Sequence, residues 1–165
     1  VVGDPANCEE LLCRDQSVMV FPEGAKGIGK DWWHRYQLQS FGTGFVRLAL
    51  ETNTPIVPVG IVGSDDIYPA LVSSRRLGRL IGAPHLPLTP TFPWLGPLGF
   101  VPLPVPIHLR FGDPIVFEGD PDGPEADIQA RVERVRSAVQ GLVDEGLRAR
   151  PRLQQLDRLT RWARR

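Results

Sequence analysis

Apolar residues in this chain recur with two different periods along its length. Between 125 and 147, Ile128, Val132, Val135, Val139, Leu142 and Val143 fall at helical spacing, which predicts an amphipathic helix with one buried face. Ser17-Val18-Met19-Val20-Phe21 is instead a continuous apolar run halted by Pro22 and Gly24, the profile of a buried central strand. Asp4-Pro5 reads as a helix start, with Cys8, Leu11 and Leu12 as one buried stripe. After Gly42-Thr43-Gly44, residues 45–52 put Phe45, Leu48 and Ala49 on one helical face, and Asn53-Thr54-Pro55 breaks the helix. Residues 56–63 form a second β-rich run. Strand, helix and strand make a βαβ unit, so the two strands are expected parallel with a right-handed crossover. Pro58 opposes a regular inner strand and points to an edge or a bulge.

Further along, 67–81 is predicted helical, with Arg75, Arg76 and Arg79 on the exposed side. Residues 84–106 are dense in proline and carry Phe92, Trp94, Leu95 and Phe100. Proline at that density excludes a membrane-spanning helix and an inner strand, leaving an irregular loop over the domain. Ile107 to Phe111 is a third strand, ended by Gly112-Asp113-Pro114. The expected fold is α/β, a partly parallel sheet with flanking helices over residues 1–147. With three strands the sheet looks incomplete, and an upstream N-terminal part is expected to finish it.

Composition adds limits more than identity. The chain has 165 residues, 42% hydrophobic and 23% charged, enough for one ordinary globular core. Its formal net charge is zero, so the whole chain offers no argument for a nucleic-acid partner. The charge is uneven, however: seven arginines between 148 and 165 face Asp157 alone, a net of +6. Cys8 and Cys13 are too few and too close for a disulfide framework, and no Cys/His cluster has metal-ligand spacing.

The chemistry concentrates in two blocks. A strand ending in Phe21-Pro22-Glu23-Gly24 places a tight turn at a strand's carboxyl end, where α/β proteins usually hold ligands. Gly24 lets backbone N–H groups approach a ligand, Glu23 can accept from hydroxyls, and Lys26 can act as a point charge toward phosphate. Phe21-Pro22-Glu23-Gly24-Ala25-Lys26 resembles the Phe-Pro-Glu-Gly-Thr-Arg block of the lysophospholipid and glycerolipid acyltransferase family. Val57-Pro58-Val59-Gly60-Ile61-Val62-Gly63, one helix later, is similar to that family's Pro-Val block. Gly3 matches a remnant of its second block, and Phe111-Gly112-Asp113-Pro114-Ile115 resembles its closing strand. Phe41-Gly42-Thr43-Gly44-Phe45 is closer to the branch that includes acylglycerol acyltransferases. The resemblance spans 1–143, making 1–147 a partial acyltransferase domain.

The resemblance implies transfer of a fatty acyl group from acyl-CoA or acyl-carrier protein to a hydroxyl of a lysophospholipid or acylglycerol. It implies that Phe21, Pro22, Glu23, Gly24 and Lys26 bind the acceptor and that Val57, Pro58 and Val59 form the acyl-site wall. No metal or resident cofactor is implied. Lys26 departs from the family's arginine and gives up its bidentate grip on phosphate, which leaves a neutral acceptor open. The aromatic run Trp32-Trp33-His34-Arg35-Tyr36 either lines an acyl channel, dips into a bilayer surface or packs locally.

A thioester transfer needs a base for the acceptor's proton. The family's His and Asp, four residues between them, lie upstream of the Phe-Pro-Glu-Gly block. Here no histidine precedes Phe21. His108 and Asp113 have the spacing but follow the other blocks, and Asp113 is better explained as a turn residue before Pro114. The catalytic pair is therefore expected in an upstream segment. The alternative is a non-catalytic peripheral lipid-binding module. An α/β hydrolase is disfavoured for want of a Gly-x-Ser-x-Gly elbow, and 24–30 lacks the spacing of a phosphate-binding P-loop.

Residues 148–165 read as a basic amphipathic tail: Leu153, Leu156, Leu159 and Trp162 recur with arginines between them. Such a helix suits an anionic lipid surface or packs back on the domain. The expected location is peripheral, on the cytoplasmic face of a membrane. Deleting 152–165 is expected to weaken flotation with anionic liposomes by roughly tenfold or more, at about 1 kcal/mol per surface-bound cation; unchanged flotation would exclude the tail as an anchor.

Overall fold

The computed structural model describes residues 4–24, 34–67, 72–74, 86–88 and 104–150, with 72–74 and 86–88 described at the level of the backbone. The first helix, α1 (Pro5–Cys13), starts where Asp4 Oδ1 accepts the Ala6 N–H at 3.2 Å, with Pro5 in the first turn. It ends at Asp15, whose φ of 57° lets the Gln16 N–H return to Leu11 O. None of its residues is buried, so the expected Cys8–Leu11–Leu12 stripe is only half-covered. The helix rests against α2 (Gly44–Glu51).

Val46, Ala49 and Leu50 are the buried face of α2, one position round from the predicted Phe45–Leu48–Ala49 stripe, which is half-buried apart from Ala49. The helix stops at Asn53, which takes a φ of 47° so that the Thr54 N–H reaches Ala49 O at 3.0 Å. The chain then enters β1 (Val59–Val62), which pairs antiparallel with β4 (His108–Phe111) in the register Val59↔Phe111 to Val62↔His108. Beyond the strands, Ile56 and Ile115 exchange backbone hydrogen bonds. Between these pairings, Val57 and Pro58 face Gly112, Asp113 and Pro114, a bulge. Pro58 needs no donor there, and its carbonyl accepts from the Gly112 N–H at 2.9 Å.

Three expectations are corrected. Among the described residues no strands pair in parallel: β1–β4 is an antiparallel two-stranded ribbon, and β2 (Val72–Ser74) with β3 (Leu86–Leu88) is a second one. Residues 17–21 form no strand, because nothing among the described residues pairs with their backbone; Met19 is 75% and Phe21 69% exposed. Where the helix over 67–81 was expected, Ile67 closes a single turn, α3 (Ser64–Ile67), and 72–74 is the strand β2; the rest of that span lies outside the described residues. β3 falls within the expected irregular loop 84–106, most of which lies outside the described residues.

The long helix α4 (Glu125–Arg148) matches its predicted span and organises the rest. Its first half buries Ile128 and Val132 against Phe41, Val46 and Leu50. Its second half buries Val143 against Val62 and Tyr36, with Leu147 alongside. The helix crosses β1 at close range. A Cβ on Gly60 would lie 2.7 Å from Leu142 Cβ and 3.0 Å from the Val143 nitrogen, and one on Gly146 would lie 2.6 Å from Val62 Cγ2. On the opposite side of the ribbon, alternation puts Ile61, Leu109 and Phe111 together, and Leu109 and Phe111 are largely exposed.

At the N-terminus of α4, Arg47 donates to the Pro121 carbonyl and pairs with Glu125 at 2.6 Å. Gly60→Ala forces backbone against backbone and should cost about 1–3 kcal/mol of stability in urea denaturation. Gly141→Ala, on the same helix but facing open space, should instead stabilise by about 0.5–1 kcal/mol.

Candidate functional site

The Phe21-Pro22-Glu23-Gly24 block is a closed turn. The Gly24 N–H donates to Phe21 O at 3.0 Å, and Gly24 holds a φ of 57°. Space around Gly24 is open, so the requirement for glycine there is conformational. Two hydrogen bonds lock the turn to the segment that follows: Gly42 N–H to Pro22 O at 3.0 Å, and Gln39 N–H to Glu23 Oε1 at 2.6 Å. Glu23 was expected to face hydroxyls of a ligand; one of its oxygens is committed to the protein's own backbone. Phe21 and Gly24 are exposed, and Pro22 and Glu23 half-buried. Lys26 and the Trp32–Trp33 pair lie outside the described residues.

The second block occupies the edge of the β1–β4 ribbon, with Val57 exposed, Pro58 buried and Val59 half-buried. The described hydrogen bonds of the turn run to Gln39 and Gly42 and leave 57–59 to the bulge. The two blocks are thus separately built. His108 lies on β4 opposite Val62, exposed, and Asp113 sits in the bulge. No described hydrogen bond or ion pair joins them. Among the described residues there is no group of three or more His, Cys, Asp or Glu able to hold a metal, and no helix long and apolar enough to cross a membrane.

Sequence reasoning missed a buried polar cluster behind the turn. Asp66, on the single turn α3, is buried, and its Oδ2 accepts the Tyr36 hydroxyl at 2.6 Å. The same hydroxyl accepts the Gly63 N–H at 3.0 Å, and Asp65 Oδ2 accepts the Tyr36 N–H at 2.8 Å. Arg150 approaches Asp66 at 3.6 Å and donates to Pro106 O, while Arg35 stands 4.0 Å from Asp66 Oδ1. Gln140 on α4 donates to Tyr36 O at 3.0 Å and accepts the Leu38 N–H at 3.1 Å, so its amide acts as a short strand partner. Asp66 Oδ1 and Arg150 Nη1 have no hydrogen-bond partner among the described residues.

Burial pushes the Asp66 carboxyl above its ordinary range, opposed by the Tyr36 hydrogen bond and then by Arg35 and Arg150. Burial and the adjacent Asp66 push the Tyr36 phenol upward, which keeps it a proton donor. The sequence signal for this cluster was a glycine and two acids, Gly63-Ser64-Asp65-Asp66, at a strand's end.

Comparison with known proteins bears on the turn. Residues 5–62 match the family model described as Acyltransferase, a span that holds the 21–24 turn and ends with β1 at Val62, inside the second block. The chain is 44% identical over 139 residues to uncharacterized proteins of Mycobacterium tuberculosis and Mycobacterium bovis, covering 81% of this chain and 38% of each relative. An uncharacterized protein of Mycobacterium leprae is 44% identical over 144 residues, 84% of this chain and 39% of its own length. The chain therefore spans about two fifths of the length of these relatives. No solved structure matches.

The Asp66 shift sets a pH dependence. Because its folded pKa is raised above 3.8, the folded chain keeps a proton that the unfolded chain has lost. Stability from this group is therefore highest below pH 3.8 and falls as pH rises toward the raised value. Urea denaturation over a pH series should show wild type losing stability relative to Asp66→Asn across that window. A difference that grows in the other direction would contradict the assignment.

Proposed function

We propose that this chain is the acceptor-side part of a glycerolipid O-acyltransferase. It would transfer a fatty acyl group from acyl-CoA or acyl-carrier protein to a hydroxyl of a lysophospholipid or acylglycerol. The observation that carries this reading is the braced turn at 21–24, built inside the segment that matches the acyltransferase model. Glycine at its left-handed corner leaves the approach to Gly24 open, and Lys26 supplies a point charge two residues on. Val57, Pro58 and Val59 serve as the acyl-site wall at the bulged edge of the ribbon.

In this reaction a base removes the proton of the acceptor hydroxyl, the oxygen attacks the thioester carbonyl, and the C–S bond breaks to release the thiol. The reading assigns the base to a histidine–aspartate pair in a segment upstream of residue 1, since no histidine precedes the turn. The membrane enters as the source of the acceptor. Exposed Met19, Phe21, Leu109 and Phe111 are suited to a lipid surface, which supports a peripheral position; the proposal places it on the cytoplasmic face. The second reading, a non-catalytic lipid-binding module, draws on the same missing base.

The purified chain, given acyl-CoA with lysophosphatidate or monoacylglycerol, is expected to yield no acylated product. Product formation abolished by His108→Ala would overturn the placement of the base outside this chain.

A further inference from the structure

The proposed chemistry leaves the most buried polar group, Asp66, without a role. We propose that Asp66, acting through Tyr36, is a positioning residue for the acceptor turn: it fixes the backbone of 36–42, and that backbone holds Glu23 and Pro22. The inference rests on the acceptor reading of 21–24 and goes beyond it by naming what sets the turn's geometry.

The connection is short and has little slack. Tyr36 holds a φ of 61°, a region that aromatic residues adopt only when their surroundings impose it. The imposing contacts are polar and converge from two sides. Asp66 and Gly63 fix the phenol, and Asp65 fixes the Tyr36 N–H. Gln140 clamps Tyr36 O and Leu38 N–H together from α4. The next backbone donor, Gln39 N–H, is the one that binds Glu23, and the Gly42 N–H closes on Pro22 O. A displaced Tyr36 would therefore move the Glu23 carboxylate directly, through three residues of backbone.

Stability alone is a poor reason for this cluster. Among the described residues Asp66 keeps an oxygen and Arg150 a nitrogen without a hydrogen bond, and well-packed apolar residues often replace buried ion pairs at no loss. What an apolar replacement would lose is the directed bond that the Tyr36 phenol donates to the carboxylate. That bond is what holds an unfavourable backbone conformation next to the turn.

The test uses the whole 165-residue chain, labelled with 15N, and phosphatidylcholine vesicles doped with lysophosphatidate. Tyr36→Phe is expected to shift the Gln39 and Gly42 amide resonances and to weaken vesicle association roughly tenfold, the ratio that corresponds to about 1.4 kcal/mol. Asp66→Asn keeps an acceptor for the phenol and should retain wild-type resonances, whereas Asp66→Leu should behave as Tyr36→Phe does. Arg47→Ala, which loosens the far end of α4, serves as the destabilised control and should associate as wild type does. If Tyr36→Phe does not fold, Gln140→Ala must produce the same amide shifts. Unmoved Gln39 and Gly42 amides in the folded variant, or an equal loss in Arg47→Ala, would overturn the proposal. Failure of wild type to associate would instead refute the acceptor reading, and the amide shifts would still decide the positioning role.

Discussion

The close crossing of α4 over β1 is the constraint on which the remaining structure depends. One apolar cluster gathers around Ile128 and Val132, and the other around Val62 and Val143; α4 contributes to both. The helix can serve both because Gly60 and Gly146 remove side chains where the two backbones meet. With a methyl at Gly60, the helix must lift from β1, and the Val62–Val143 contact opens with it. Gln140 rides on the same helix, so the position of the segment carrying Tyr36 is inherited from that crossing.

Polar and apolar terms divide the work along α4. Its amino-terminal half holds α2 by apolar packing, reinforced by Arg47, which donates to the Pro121 carbonyl and pairs with Glu125. Its carboxyl-terminal half meets Tyr36 and Asp66, where apolar packing surrounds a buried carboxylate. Desolvating that carboxylate is costly, and the raised protonation range of Asp66 is the sign of it. The cost is partly offset by the hydrogen bond from Tyr36 and by the two nearby guanidinium groups. Arg150 belongs to this compensation, so the basic stretch beginning at Arg148 starts inside the folded unit.

Local rules carried some elements and failed at others for a consistent reason. The helix over 125–147 was legible because its buried positions recur within the helix, and α2 because Asn53 marks its end. The strand at 108–111 was found from its composition. Its partner and direction were not, since antiparallel pairing of β4 with β1 depends on two distant segments meeting in register. The apolar run 17–21 shows the same limit: it has the composition of an inner strand, but a strand exists only where another backbone pairs with it. The Tyr36–Asp66 bond was invisible for that reason too, because neither residue carries a pattern that names the other. Pro58 was readable as an edge or a bulge since proline excludes a ladder donor wherever it sits, and the fold makes it a bulge.

The turn at 21–24 shows how a motif's side chain can be engaged by the protein's own backbone. Read as a sequence, Glu23 is a free carboxylate offered to a ligand. In the fold one of its oxygens accepts from Gln39 at 2.6 Å, a charge-assisted bond to the backbone, which is stronger than a neutral one. That bond limits how far the carboxylate can travel. A ligand meeting this turn would therefore find a preset acceptor instead of a mobile side chain, and would lose less freedom on binding. The precision of that acceptor is only as good as the backbone of 36–42. A short acidic motif thus depends on an aromatic residue outside it, and on a carboxylate thirty positions beyond that, for the geometry that gives the motif its chemical meaning.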